Sequence, residues 1–177
     1  MSKKILKYWE LFRPYFKQEK VPARKLLLRE GDISRKMFFI EKGCLRTWVN
    51  NDGKEITTQF FFEGDTVSSI ESFRTKQPSL YSIETIEPCL LQSITQQEFQ
   101  AIIEQSPEIK NQFEEHLFHR LFQAQQHFFN YLKHTPQQRY EALIADYPHI
   151  VQRVPQHYIA SYLGITSVSL SRIRNRR

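Results

Sequence analysis

Cysteine is scarce in this chain of 177 residues: there are two, Cys44 and Cys89. Two thiols make at most one bridge, so no disulfide framework is expected, and the usage fits a reducing compartment. Two cysteines also exclude a four-cysteine zinc or iron–sulfur site within one chain. Histidine is missing from the N-terminal part, the six being His116, His119, His127, His134, His149 and His157. A metal enzyme in that part would need two or three converging histidines and usually a Glu, so this class is disfavoured. His116 and His119 share a helix face, as many surface pairs do, and neither a metal nor a cofactor is assigned. Long apolar runs are absent too. The start, MSKKILKYWELFRPYF, is basic but interrupted by Trp9, Glu10 and Arg13. No signal peptide or membrane span is expected, and the protein should be cytoplasmic.

Acidic residues are missing from the C-terminal end. From Val151 to Arg177 there are five arginines (153, 172, 174, 176, 177) and no Asp or Glu, so this segment carries +5 of the net +6. A nearly neutral body with a basic end is the electrostatic footprint of a nucleic-acid-binding domain. The segment VPQHYIASYLGITSVSLSRIRNRR reads as two short helices and a tight turn. Ile159, Ala160 and Leu163 form the inner side of the first. Gly164 stops it, free of the Cβ penalty. Thr166 is an N-cap for the second, whose buried side is Leu170 and Ile173. Ser167, Val168, Ser171, Arg172 and Asn175 fall on the opposite side. The pattern is a helix-turn-helix, whose second helix enters the DNA major groove.

What is present elsewhere divides the chain. Between Val21 and Ile94 come short apolar runs, KLLLRE, KMFFIEKG, CLRTWVN, EITTQFFF, TVSSI, YSIETI and CLLQSI. Turn signals separate them, and the spacing indicates an antiparallel sandwich or barrel. Asn51-Asp52-Gly53 marks a hairpin. From Thr95 the period becomes helical. Thr95 and Glu98 form a capping box, and Ser106-Pro107 opens a long helix that meets no Gly or Pro until Pro136. Ile109, Phe113, Leu117, Leu121, Ala124, Phe128 and Leu132 make one apolar stripe, with Phe118, Phe122 and Phe129 on an adjoining face. Two apolar faces need two partners: the β region, and the same helix of a second chain. The alternative is that both faces are buried within one chain. Thr135 caps a further helix from Pro136, ended by Pro148. An amphipathic helix is expected over residues 5–16, ended or kinked by Pro14.

LLLREGD, MFFIEKGCLRTWV and FFFEGD, with Gly31, Gly43 and Gly64 at turns, and IASYLGITSVSLSRIRNR together resemble the Crp/Fnr family of bacterial transcription regulators. The resemblance implies an α+β fold: an antiparallel β-roll of double-stranded β-helix or jelly-roll type over residues 1–106, a dimerisation helix over 107–134, and a helix-turn-helix over 135–177. With the sequence ending at Arg177, the family's β-hairpin wing should be reduced or absent. The implied function is a homodimeric DNA-binding regulator, not an enzyme, with RNA polymerase as a further partner and no membrane. Thr166, Ser167, Val168, Ser171, Arg172, Arg174, Asn175 and Arg176 are the DNA-contacting candidates. Phe113, Leu117, Leu121, Ala124 and Phe128 are the dimer candidates.

The sensor departs from the cyclic-AMP-binding members. Aligned from Gly64-Asp65, the ribose-binding Gly-Glu pair is Ser68-Ser69, and the phosphate-binding Arg falls near Ser79. A cyclic phosphate without a guanidinium loses its charge-assisted, bidentate contact. Ser68, Ser69, Arg74 and Ser79 mark the effector pocket, with Arg74 and Lys76 either an anion site or solvated loop charges. The effector is expected to differ from cyclic AMP or to be absent. Cys44 as a haem ligand competes with Cys44 as a small core residue. The competing function is an effector-binding signalling module that acts through protein contacts.

Overall fold

The computed structural model describes residues 13–175. The helix expected over residues 5–16 lies outside them except at its end, where Arg13–Tyr15 form a 3-10 turn. Arg176 and Arg177 also lie outside.

The short apolar runs become eight strands: β1 (Lys17–Val21), β2 (Leu26–Leu28), β3 (Lys36–Lys42), β4 (Leu45–Asn51), β5 (Lys54–Phe61), β6 (Thr66–Val67), β7 (Ser82–Thr85) and β8 (Cys89–Thr95). They pair antiparallel in two four-stranded sheets, ordered β1-β8-β3-β6 and β2-β7-β4-β5. Phe38, Ile40, Leu45, Phe61, Ile83 and Leu91 fill the space between the sheets. The turns follow residue chemistry. Asp52 and Gly53 take φ of 51° and 82°, as a two-residue hairpin turn requires, and Asn51 pairs with Lys54. Gly43 has φ +111°, and a Cβ there would lie 2.5 Å from Cys89 Sγ, so the position accepts no side chain.

Part of TVSSI is not strand. β6 stops after two residues, and Ser69 precedes a short helix, α1 (Ile70–Thr75). Phe73, three residues beyond Ile70, is drawn into a core with Met37, Ile94, Phe99, Ile102 and Ile109. Strand β3 is therefore covered on both faces, by the second sheet and by helices.

Helix α2 (Gln96–Gln105) begins with the expected box: Thr95 Oγ1 accepts from the Glu98 N–H, and Glu98 accepts from the Thr95 N–H. Helix α3 (Pro107–Lys133) is capped by Ser106 Oγ, which accepts from Ile109 N–H at 3.3 Å. Its start is fastened to the roll through Ile109 and through Phe113, whose ring lies 4.7 Å from that of Phe99. Its outer side is not covered by the described residues. Phe118, Leu121, Phe122, Phe128, Phe129 and Leu132 are 47–64% exposed, so the two apolar faces are not both buried within one chain.

Helices α4 (Pro136–Asp146), α5 (Ile150–Arg153), α6 (Gln156–Tyr162) and α7 (Ser167–Asn175) follow. Thr135 and Gln138 form a second capping box at α4. Tyr140, Leu143, Ile150, Val154, Ile159, Leu163 and Leu170 make one core, continuous with Cys44, Phe60 and Ile86 of the roll. The short α5 breaks what reads as a plain connection after Pro148. The C-terminal helices are thus docked on the roll by shared apolar burial.

Candidate functional sites on the C-terminal helices and under the long helix

The α6–α7 unit has the local geometry its sequence dictates. Ile159, Ala160, Leu163 and Leu170 are buried. Gly164 turns with φ +68°. Its missing Cβ matters twice, because a carbon there would stand 2.7 Å from the Tyr131 hydroxyl of α3. Thr166 Oγ1 accepts from Ser169 N–H at 3.1 Å, closing the first turn of α7. Ser167, Val168, Ser171, Arg172 and Asn175 are all exposed, Val168 by 61%, whereas Arg174 is half-buried. Arg176 falls outside the described residues. The exposed side is small, polar and basic, and can approach a groove without a steric block.

Two sets of contacts moor this unit. On the roll side, Ser161 Oγ accepts from Thr57 N–H at 2.9 Å and donates to Glu55 O at 2.8 Å, closing the edge of β5. Arg46, almost fully buried, donates to Glu84 at 2.6 Å and to Glu55, and its guanidinium lies 3.7 Å from the Tyr158 ring centroid. Arg153 donates to both Glu63 oxygens, at 2.8 and 2.7 Å, and to Glu87. On the helix side, Arg139 donates to Tyr131 O and His134 O at 3.0 Å and to Leu163 O at 2.7 Å. Sequence reading counted Arg153 among the free charges of the basic end and passed over Arg46 and Arg139. Their partners are remote in sequence, so no local pattern marks them.

A second site is a cavity of about 310 Å³ between the roll and α3. Apolar walls come from Met37, Phe61, Val67, Phe113, Leu117 and Leu121, and hydroxyls from Thr47, Thr58 and Tyr81. Of the four expected pocket residues, Ser68 borders the cavity, whereas Ser69, Arg74 and Ser79 do not line it. Ser68 Oγ donates to Lys36 O, and Ser79 Oγ donates to Tyr81 O. Arg74 is exposed. The cation in the wall is Arg120, from α3. Its Nη2 donates to Gln59 Oε1 at 3.1 Å and its Nη1 to Gln123 Oε1 at 3.4 Å, with the guanidinium 4.9 Å from the Phe61 ring centroid. Beside it, His116 Nε2 is 2.9 Å from Thr66 Oγ1. Burial, helped by Arg120, pushes His116 down to about 4, so it is neutral at pH 7. Leu117, expected in the dimer seam, lines this cavity, and Phe113 packs on Phe99, because the first half of α3 lies against the roll. Leu121, Ala124 and Phe128 are exposed.

Cys44 is fully buried, with Sγ 3.7 Å from Leu45 O. Burial pushes its thiol well above the ordinary range. This is the environment of a small core residue rather than of a metal-binding thiolate. Among the described residues no helix is long and apolar enough to cross a membrane.

The two-sheet roll, the long helix laid against it and the cavity between them define a class, the β-rolls of cyclic nucleotide-binding type. Residues 18–106 match the cyclic nucleotide-binding domain family. The chain belongs to that family, and it carries the fold of the Crp/Fnr regulators. It is 31% identical over 88 residues to the Pycsar effector protein XpPycTIR of Xanthomonas perforans, covering 50% of this chain and 28% of that one. It is 25% identical over 113 residues to the cAMP-activated global transcriptional regulator CRP of Pasteurella multocida, covering 63% of this chain and 54% of that one. The chain thus spans about a quarter and about half of the lengths of these relatives. Among solved structures, FixK2 from Bradyrhizobium japonicum superposes with a TM-score of 0.79 at 13% identity, covering 91% of this chain and 83% of that one.

Proposed function

We propose that the chain is a homodimeric, sequence-specific DNA-binding transcription regulator and not an enzyme. Residues 1–106 are its sensor, 107–134 its dimer helix and 135–177 its helix-turn-helix. The observation that carries this reading is the sidedness of α7: Leu170 is buried, whereas Ser167, Val168, Ser171 and Arg172 face solvent. A helix presenting short polar groups and an arginine beyond a tight turn suits the major groove. In this reading Arg172 pairs with guanine and Val168 touches a thymine methyl, with Asn175 on the same face, while Arg174 and Arg176 are the candidates for phosphate contact.

The outer side of α3 is the dimer seam. Its row of half-exposed Phe and Leu is larger than the apolar patches that monomers normally expose. A twin helix laid along Leu121, Ala124, Phe128 and Leu132 would cover it. The two α7 helices would then read inverted half-sites about 34 Å apart. In this reading the effector is not cyclic AMP, because among the described residues no acid lines the cavity to hold a ribose, and Ser79, at the position of the phosphate arginine, is buried away from its walls.

Gel shifts on genomic fragments at two salt concentrations, with light scattering of the free protein, test the proposal. The expected result is a dimer that retains preference for a palindromic site as salt rises. A monomer, or binding without sequence preference, overturns it. The second outcome would favour a module signalling through protein contacts, a reading suggested by the match of the roll region to the Pycsar effector protein.

A further inference from the structure

The cavity under α3 has a feature that its apolar walls do not need. Arg120 is largely buried there, yet among the described residues it makes no ion pair. Its hydrogen-bond acceptors are two neutral amides, Gln59 and Gln123. A guanidinium has five N–H donors, of which two are used. The nearby acid, Asp65, accepts the Phe62 N–H at 2.9 Å and holds no salt bridge to Arg120. A cation held away from water, with an acid nearby but none paired to it, is costly unless something else supplies a contacting negative charge. Elsewhere Arg46 and Arg153 each take two carboxylates. The half-buried Arg139 takes three backbone carbonyls at the ends of α3 and α6, where the helix dipole is negative.

We propose that this cavity takes a small organic monocarboxylate, with Arg120 and Gln59 binding the carboxylate and Phe61, Val67, Phe113 and Leu117 holding an apolar body. The proposal rests on the reading of the roll as a sensor and names the chemical class of its effector.

The charge count selects one negative charge. Among the described residues Arg120 is the one cation in the wall at neutral pH, since its neighbour His116 is neutral. A dianion would leave one charge unmet in an apolar space. The shape of the wall selects a compact ligand. About 310 Å³ lies at the small end of ligand pockets, ~300–1,000 Å³. The absence of any Asp or Glu from the lining disfavours a sugar, whose hydroxyls need strong acceptors. Thr47, Thr58 and Tyr81 can meet one further polar group. Because Arg120 sits on α3, a bound acid would tie the roll to the dimer helix through one residue.

Calorimetry with the full chain against hexanoate, octanoate and phenylacetate, each paired with its neutral amide, tests this, with cyclic AMP as a further ligand. At least one acid should bind about tenfold or more tightly than its amide, the worth of one charge-assisted contact. Arg120→Gln should remove that preference while leaving the melting curve intact. Gln59→Leu should weaken the acid and spare the amide. Equal binding of acids and amides, or no binding of any acid, overturns the proposal, as does tighter binding of cyclic AMP than of every acid. Operator binding without ligand is measured in the same preparations. Its loss would defeat the regulator reading and leave the carboxylate result standing.

Discussion

Two parts of this molecule hold arginine away from water in opposite ways. At the junction between the roll and the α6–α7 unit, Arg46 and Arg153 each meet two carboxylates, and Arg46 is further covered by the Tyr158 ring. Under α3, Arg120 meets only amides and the face of Phe61. A buried cation with its acids in place is a fastening. One with neither acids nor the helix-end carbonyls that hold Arg139 is, on the proposal above, a binding group, because the missing charge must come from outside. Four substitutions test that division.

Arg46→Ala should have the largest effect. It leaves Glu84 and Glu55 facing an emptied site beneath Tyr158. Removing one partner of a buried pair typically costs about 3–5 kcal/mol, discounted here because Glu55 is about half exposed (48%). A chemical denaturation midpoint unchanged from wild type would show that the junction is not a fastening.

Arg172 belongs to neither group: it is exposed on α7 and has no acid beside it. Arg172→Ala should leave stability unchanged and weaken specific DNA binding by about 1–3 kcal/mol. Competition gel shifts should also show relaxed preference at one base pair. Intact preference would mean that another face of α7 reads the site.

The Glu63–Arg153 pair gives a pH signature. The Arg153 guanidinium holds Glu63 down to about 2, from an ordinary 4.5. A lowered folded-state value stabilises the protein above 4.5, and that contribution disappears as pH falls toward 2. Glu63→Gln should therefore lose stability at neutral pH and show a shallower acid limb in melting temperature against pH. Parallel curves for the two proteins would refute the assignment. Glu98, also held down to about 2 by Thr95 in the α2 capping box, and Glu19, in which burial is outweighed by the lowering bonds to Lys36 and Ser93, add to the slope.

Arg120→Gln should change folding stability by less than about 1 kcal/mol, in either direction, since it removes a cation that lacks a partner acid. A loss as large as that of Arg46→Ala would place Arg120 among the fastenings.

What the sequence made legible was local. Asp52-Gly53, the Thr95–Glu98 box, Thr135 as a cap and Gly164 as a stop each depend on residues within four positions of one another, and all appear at the expected places. The antiparallel roll followed from turn spacing. The junction was not legible, because Arg153 and Glu63 are 90 residues apart and Arg46 and Glu84 are 38 apart. Of the residues expected after Gly64-Asp65 to form an effector pocket, Ser68 borders the cavity, whereas the cation in its wall, Arg120, is on α3. A signal was available: His116 and Arg120, four apart, border the Phe113–Leu117 stripe, an unusual place for two ionisable groups. Helix α1 escaped because six residues carry too little periodicity against the β-rich segment around them.

The double mooring of the α6–α7 unit has a kinetic consequence. Arg139 ties Leu163 to the end of α3, while Ser161 and Arg153 tie the unit to the roll. If the roll contacts open while Arg139 holds, the unit stays tethered, and its return is an encounter at millimolar effective concentration. Docking and release then proceed at rates that dilution cannot change, whereas the proposed pairing of α3 with a second chain would slow in proportion to protein concentration. A dilution series followed by stopped-flow separates the two processes in one preparation without any substitution.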